Sequence, residues 1–378
     1  MTTPSATPNG SSAEAGSETT ARAGARAHSD PAAPAKGVPS AAAVPPPAWV
    51  HGDATTLRQR VLGRSGIRVS ELALGTMTFG TRAGWGSQER VCREIYAAFR
   101  EAGGNFVDTA NNYAAGESEQ IVGRLVAGER DEVVVASKFT LPTDPADPNS
   151  GGSGRKALRR TVETTLRRLG TDHLDLLWTH AWDRNTPVEE TLRALDDLVR
   201  AGKVLAIGVS NMPAWVVSRA ATVASLRGWT PLAAVQVEYS LLARTADRDL
   251  LPMADALGLA VAAWSPLARG RLARRAPDGD AVPAAQARAA EALGKVAAEL
   301  DTTPARVAIA WVRAHGLLPV LGASSARQLR DGLGAARLAL SPAQLAALDA
   351  ATAIRLGYPH EFLRDRCPTL ASIAVQPE

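Results

Sequence analysis

The sequence has 378 residues, 46% of them hydrophobic, which is enough for two ordinary domains or one large α/β barrel. Its 42 Lys and Arg against 38 Asp and Glu leave a net charge of +4, spread along the chain, so no basic arm points to nucleic acid. No apolar run could span a bilayer. The two cysteines, Cys92 and Cys367, have neither CxxC nor metal spacing, which fits a reducing, cytoplasmic setting and no bound metal.

Residues 1–55 are Ala, Pro, Ser, Gly and Thr with almost no large apolar side chain. Such a segment cannot offset its ordering entropy, so a disordered tail is expected there. It lacks the apolar centre of a secretory signal. From Leu57 onward short apolar runs alternate with helix-period stretches. Strands are predicted at 72–74, 105–107, 133–136, 174–178, 205–209, 234–237, 259–263 and 318–321. Helices are predicted at 88–101, 118–127, 154–169, 188–201, 214–226, 249–257, 304–314 and 326–335. Pro187 and Pro304 suit first-turn positions, and Gly103, Gly170, Gly202 and Gly258 sit just past helix ends. Eight βα repeats predict an α/β fold of the (β/α)₈ TIM-barrel type. A doubly wound sheet would usually carry GxGxxG after its first strand, and this chain does not. Outside the repeat, residues 58–69 read as an N-terminal hairpin and 269–290 as a long loop. Residues 341–352 read as an extra C-terminal helix capped by Ser341 with Pro342 in its first turn. The expected organisation is a tail over 1–55, a barrel over 56–352 and an extension over 353–378.

In such a barrel the chemistry sits where strands end. The predicted strand ends carry Asp108 and then Tyr113, Ser137 and Lys138, His180 and Trp182, Ser210 and Asn211, Gln236 and Glu238, Trp264 and Ser265, and Gly322 with Ser324. Lysine is scarce, with only Lys36, Lys138, Lys156, Lys203 and Lys295 in an arginine-rich chain. One kept at a strand end suggests an ammonium that arginine cannot replace. A phenol is a poor proton donor at neutral pH, and a neighbouring ammonium makes it a better one. A carboxylate beside the ammonium keeps it charged. Asp108, Tyr113 and Lys138 would thus form a tuned general acid, with His180 holding the same carbonyl oxygen. Singly, each has an ordinary explanation as a cap, a packed aromatic, a solvated charge or a structural histidine. At three successive strand ends the joint reading is catalytic. His173 falls before a strand, on the opposite rim. Ser118 with Glu119 reads as a helix start only.

LGRSGIRVSELALGTMTFG, DTANNYAAGESEQIVG, VVVASKF, LDLLWTHAWD, VQVEYSLLAR, AWSPLARGRL and LGASSARQLRDGLGA occur in that order. Together they resemble the aldo-keto reductase superfamily from about Leu62 to Ala336. The resemblance implies reduction of an aldehyde or ketone to an alcohol by hydride from NADPH in a TIM barrel, with Asp108, Tyr113, Lys138 and His180 catalytic. It assigns Ser210, Asn211 and Gln236 to the nicotinamide carboxamide and Trp264 to stacking on its ring. Ser265, Pro266 and Leu267 match pyrophosphate contacts, with Arg269 beyond them on the cofactor side. Gly322, Ser324, Arg327, Gln328 and Asp331 match the adenosine 2′-phosphate segment, and Thr76 and Met77 another cofactor contact. Trp85 and Trp182, with Tyr113 and His180, would line the substrate pocket. Ala114 stands where a glycine is usual, and Gly332 where many relatives carry an asparagine near the adenine. A keto-deoxyhexose reductase acting on nucleotide sugars is one alternative. An NADPH-binding regulatory subunit like the potassium-channel β subunits is another, from a different class.

Overall fold

In the computed structural model residues 56–273 and 282–367 are described; the tail expected over 1–55, part of the 269–290 loop and the end of the C-terminal extension lie outside them. Strands β1 (Gln59–Val61) and β2 (Arg68–Ser70) form the expected antiparallel hairpin. Leu62 and Val69 from it join the cluster of side chains inside the barrel, so the hairpin plugs the N-terminal end.

The barrel strands are β3 (Ala73–Gly75), β4 (Phe106–Asp108), β5 (Val134–Phe139), β6 (Leu174–Thr179), β7 (Val204–Ser210), β8 (Leu232–Glu238), β9 (Ala260–Trp264) and β10 (Leu318–Leu321). They pair in parallel and close in the order β10-β3-β4-β5-β6-β7-β8-β9. This is the predicted (β/α)₈ barrel, with its N-terminal hairpin and extra C-terminal helix. The axis is filled, as the fold requires. Trp178 is wholly buried there among Ala206, Ala234 and Ala262. A Cβ at Gly208 would come within 2.4 Å of the Trp178 ring, so only glycine fits beside that indole.

The outer layer comprises α1 (Glu89–Glu101), α2 (Glu117–Val126), α3 (Arg155–Leu169), α4 (Val188–Arg200), α5 (Ala214–Arg227), α6 (Leu250–Leu257), α7 (Ala284–Glu299), α8 (Pro304–Ala314) and α9 (Ala326–Leu333), followed by α10 (Pro342–Ala351) and α11 (His360–Arg366). Helix α10 is the predicted extra helix, and Ser341 and Gln344 close a reciprocal capping box at its start. Helix α7 corrects the reading of 269–290 as a loop. The run AAQARAAEALGKVAAE is rich in the strongest helix former, and it starts directly after Pro283. Arginine and proline dominate only the first part of that segment. Helix α11 falls in the extension, where no element was expected.

Among the described residues, eight that are not glycine adopt positive φ. Seven of them, Ala114, Ala115, Thr140, Asn211, Ser265, Ala268 and Arg269, follow the C-terminal ends of barrel strands. Costly backbone is concentrated on the rim at the C-terminal ends of the strands, the rim that carries the candidate residues, rather than at the hairpin end.

Candidate active site

Strands β4 and β5 are neighbours in register, with Asp108 opposite Ala136, so Asp108 and Lys138 end up at adjacent strand ends. Both side chains are buried. Lys138 Nζ donates to the Asp108 carboxylate, to Thr109 O at 2.9 Å and to Tyr113 Oη at 3.2 Å. Its three protons are thus assigned. Burial pulls the Lys138 ammonium down, but Asp108 beside it, together with the contact to Tyr113, outweighs burial and holds it above its ordinary range. Gln236 Nε2 donates to the other Asp108 oxygen at 3.2 Å. Thr76 uses its backbone N–H and its hydroxyl on Asp108 O, at 2.9 and 3.1 Å, and so braces the carboxylate's backbone.

The rings of Tyr113 and His180 meet edge to face, with centroids 6.0 Å apart. Burial, with Lys138 adding to it, pushes His180 down to about 3, so the imidazole is neutral and keeps a single N–H. Its buried Nδ1 has no partner among the described residues. Four predicted catalytic side chains therefore stand together: an ammonium, its carboxylate, a phenol and a neutral imidazole.

The residues assigned to a cofactor occupy the same rim. Ser210 Oγ donates to Gln236 O at 3.0 Å. Asn211, at positive φ, donates from Nδ2 to His180 O at 2.8 Å and accepts from Trp264 Nε1 at 3.2 Å. That amide nitrogen keeps a second N–H for a ligand, and the bond fixes the half-exposed Trp264 beside it. Ser265 and Arg269 follow β9 at positive φ, with Pro266 buried and Leu267 packed on the core. Gly322 and Ser324 are exposed after β10, and a Cβ at Gly322 would meet nothing. Ser324 donates to Gln328 Oε1 through N and Oγ, at 2.9 and 3.0 Å. Arg327 is exposed with no carboxylate partner among the described residues, which leaves a guanidinium for a phosphate. Asp331 is less available, because it pairs with Arg306 at 3.0 Å. Met77 is exposed on the loop after β3, as is Trp85 at 52%. Trp182 instead meets Trp215 edge to face at 5.6 Å. Its backbone N–H reaches Asn211 O at 3.4 Å. A donor set built from amides, hydroxyls, an indole face and an unpaired arginine suits a dinucleotide.

The model of the aldo/keto reductase family matches residues 71–353. The chain belongs to this family. It is 36% identical over 325 residues to norsolorinic acid reductase of Aspergillus flavus, covering 80% of this chain and 83% of that protein. It is 35% identical to a putative aryl-alcohol dehydrogenase of Saccharomyces cerevisiae, covering 82% and 90%. An uncharacterized oxidoreductase of Bacillus subtilis is 39% identical, covering 74% and 91%. Family and relatives together make this chain an oxidoreductase.

Three residues had no functional reading in the sequence. Trp215 opens α5 and looks like an ordinary surface aromatic until the fold sets it against Trp182. Ser118 and Glu119 are more than a helix start. Ser118 Oγ donates to Thr76 O at 2.8 Å, and Glu119 is wholly buried with bonds to Ser137, Thr165 and Arg168. A glutamate in the first turn of a helix is normally solvated, so only tertiary contacts reveal the difference.

Proposed function

We propose that this member of the aldo/keto reductase family is an NADPH-dependent reductase of aldehydes or ketones, with aryl carbonyls as its substrate class. The observation that carries the reading is the contact of Tyr113 Oη with Lys138 Nζ at 3.2 Å, the ammonium being held in turn by buried Asp108. When bound, NADPH supplies the hydride that reaches the carbonyl carbon. Ser210, Asn211 and Gln236 would hold the carboxamide, Trp264 the ring face, and Arg327 the 2′-phosphate.

Tyr113 donates its phenolic proton to the carbonyl oxygen as charge develops there. Lys138 stabilises the phenoxide that remains, and Asp108 keeps Lys138 protonated through the cycle. His180, being neutral, orients the carbonyl oxygen by a hydrogen bond without competing as an acid. The exposed indole of Trp215 against Trp182, two residues after His180, supplies an aromatic wall on the same rim, which supports planar aromatic substrates. The names of the norsolorinic acid reductase and aryl-alcohol dehydrogenase relatives support the same class. The free thiols Cys92 and Cys367 suit a reducing compartment such as the cytoplasm.

The test is a panel of aryl, aliphatic and sugar-linked carbonyls, read by loss of NADPH absorbance. Aryl substrates should give the highest kcat/KM, and Trp182→Ala should lower it about tenfold for them. Turnover of nucleotide-linked keto sugars alone would replace the substrate class. Tyr113→Phe should lose turnover while still binding NADPH.

A further inference from the structure

The loop that carries Tyr113 holds three consecutive left-handed residues, Ala114, Ala115 and Gly116, with φ of 45°, 55° and 87°. A run of this kind does not hold itself in place, since two of the three carry a Cβ. Something outside the loop must fix where the phenol stands.

Arg168, near the end of α3, is the residue that reaches it. Its Nη1 donates to Asn111 O at 3.0 Å, two residues before Tyr113. Its guanidinium also comes close against the backbone three residues after Tyr113, where a Cβ at Gly116 would fall 2.2 Å from Arg168 Cζ. One side chain therefore grips the loop on both sides of the phenol. The same Nη1 donates to Glu119 Oε2 at 2.9 Å, and Glu119 is fully buried. Glu119 Oε1 accepts from Thr165 Oγ1 at 2.8 Å and from Ser137 Oγ at 2.7 Å. Ser137 directly precedes Lys138 on β5. Asn111 closes the circuit, because its N–H donates to Lys138 O at 3.2 Å. A buried carboxylate is costly unless each oxygen is satisfied, and here both are satisfied by groups flanking the two halves of the Tyr113–Lys138 contact.

We propose that the buried Glu119 and the partly buried Arg168 are a positioning pair that sets the Tyr113 hydroxyl against Lys138, so that proton donation keeps pace with hydride transfer. Neither residue is among those assigned to substrate or cofactor. The proposal rests on Tyr113 as the proton donor.

Arg168→Met and Glu119→Gln test it in the full chain with NADPH and an aryl aldehyde. Arg168→Met should lower kcat about ten- to a hundredfold, since a misplacement near an ångström costs that much. The carbonyl KM and the NADPH Kd, the latter from quenching of tryptophan fluorescence, should stay within about twofold. The solvent deuterium isotope effect on kcat should rise, because proton transfer becomes limiting; a smaller folded fraction would not change it. Arg168→Lys should recover part of the rate. Glu119→Gln keeps the shape of the site and should show the same isotope signature, which covers the case of an Arg168→Met chain that does not fold. Arg90→Met, at an exposed position on α1, serves as the control with unchanged kcat. A folded Arg168→Met with full kcat would overturn the proposal. So would loss of kcat with an unchanged isotope effect in Glu119→Gln. If Tyr113→Phe kept its turnover, the proton-donor reading would fail instead, whatever Arg168 did.

Discussion

Lys138 Nζ stands between the Asp108 carboxylate and Tyr113 Oη, 3.2 Å from the phenol, with both charged groups out of water. Lys138→Met would leave that carboxylate buried with only Gln236 to satisfy it. The expected loss is about 3–5 kcal/mol of stability, measured by urea unfolding, together with at least about a hundredfold in kcat. Adding Asp108→Asn removes the orphaned charge and should restore most of the stability but none of the turnover. If activity returned with stability, the ammonium would have only a structural role.

His180 behaves differently, because burial first and Lys138 second hold it down at about 3. Its protonation should contribute no inflection to kcat between about pH 5 and about pH 8. Stability carries the signature instead. The unfolded chain takes up this proton below about pH 6.5 and the folded chain does not until about pH 3, so stability falls as pH drops through that window. The slope from this one group is at most about 1.4 kcal/mol per pH unit. Urea midpoints from about pH 7 to about pH 4 should show a shallower fall in His180→Gln than in the parent. Equal slopes would mean that the imidazole is charged in the folded protein.

Ala114 occupies a left-handed position at φ 45° immediately after Tyr113. An L-residue with a Cβ pays about 1–2 kcal/mol there, partly recovered by glycine's larger loss of chain entropy. Ala114→Gly should therefore raise stability by about 0.5–1 kcal/mol, visible as a higher Tm. A lower Tm would show that the Ala114 methyl contributes packing worth more than the strain.

Arg327 lies exposed after β10 with no carboxylate to neutralise it among the described residues. Arg327→Ala should weaken NADPH binding about tenfold or more, the worth of a charge-assisted bond to phosphate, and leave NADH binding nearly unchanged. Equal loss for both cofactors would remove Arg327 from the 2′-phosphate site.

Much of this was legible in the chain. Apolar runs fixed the eight barrel strands to within a few residues, because a strand buried on both faces must be apolar throughout. Start and stop residues such as Pro304, Gly170 and Ser341 marked helix limits, because their backbone preferences are local. The residues of the site were visible for a similar reason. Lys138 near the end of VVVASKF, one of five lysines, is conspicuous in a chain that mostly uses arginine. Helix α7 was missed because proline and arginine at its approach masked an alanine-rich run. Asp331 and Thr76 turned out to be committed to Arg306 and to Asp108, partners far away in sequence.

The sequence by itself determined the alternation of strand and helix, the rim on which the candidate residues lie, and the identity of the phenol, the ammonium and the carboxylate that meet there. These follow from side-chain chemistry and from periodicity along the chain. Only the tertiary structure decided that Trp215 meets Trp182, that Thr76 braces Asp108, and that Glu119 is buried beneath the Tyr113 loop with Arg168 across it. Closing the barrel brings together residues tens of positions apart. Whether a polar group is solvated or buried is a property of that closure, and no local pattern records it.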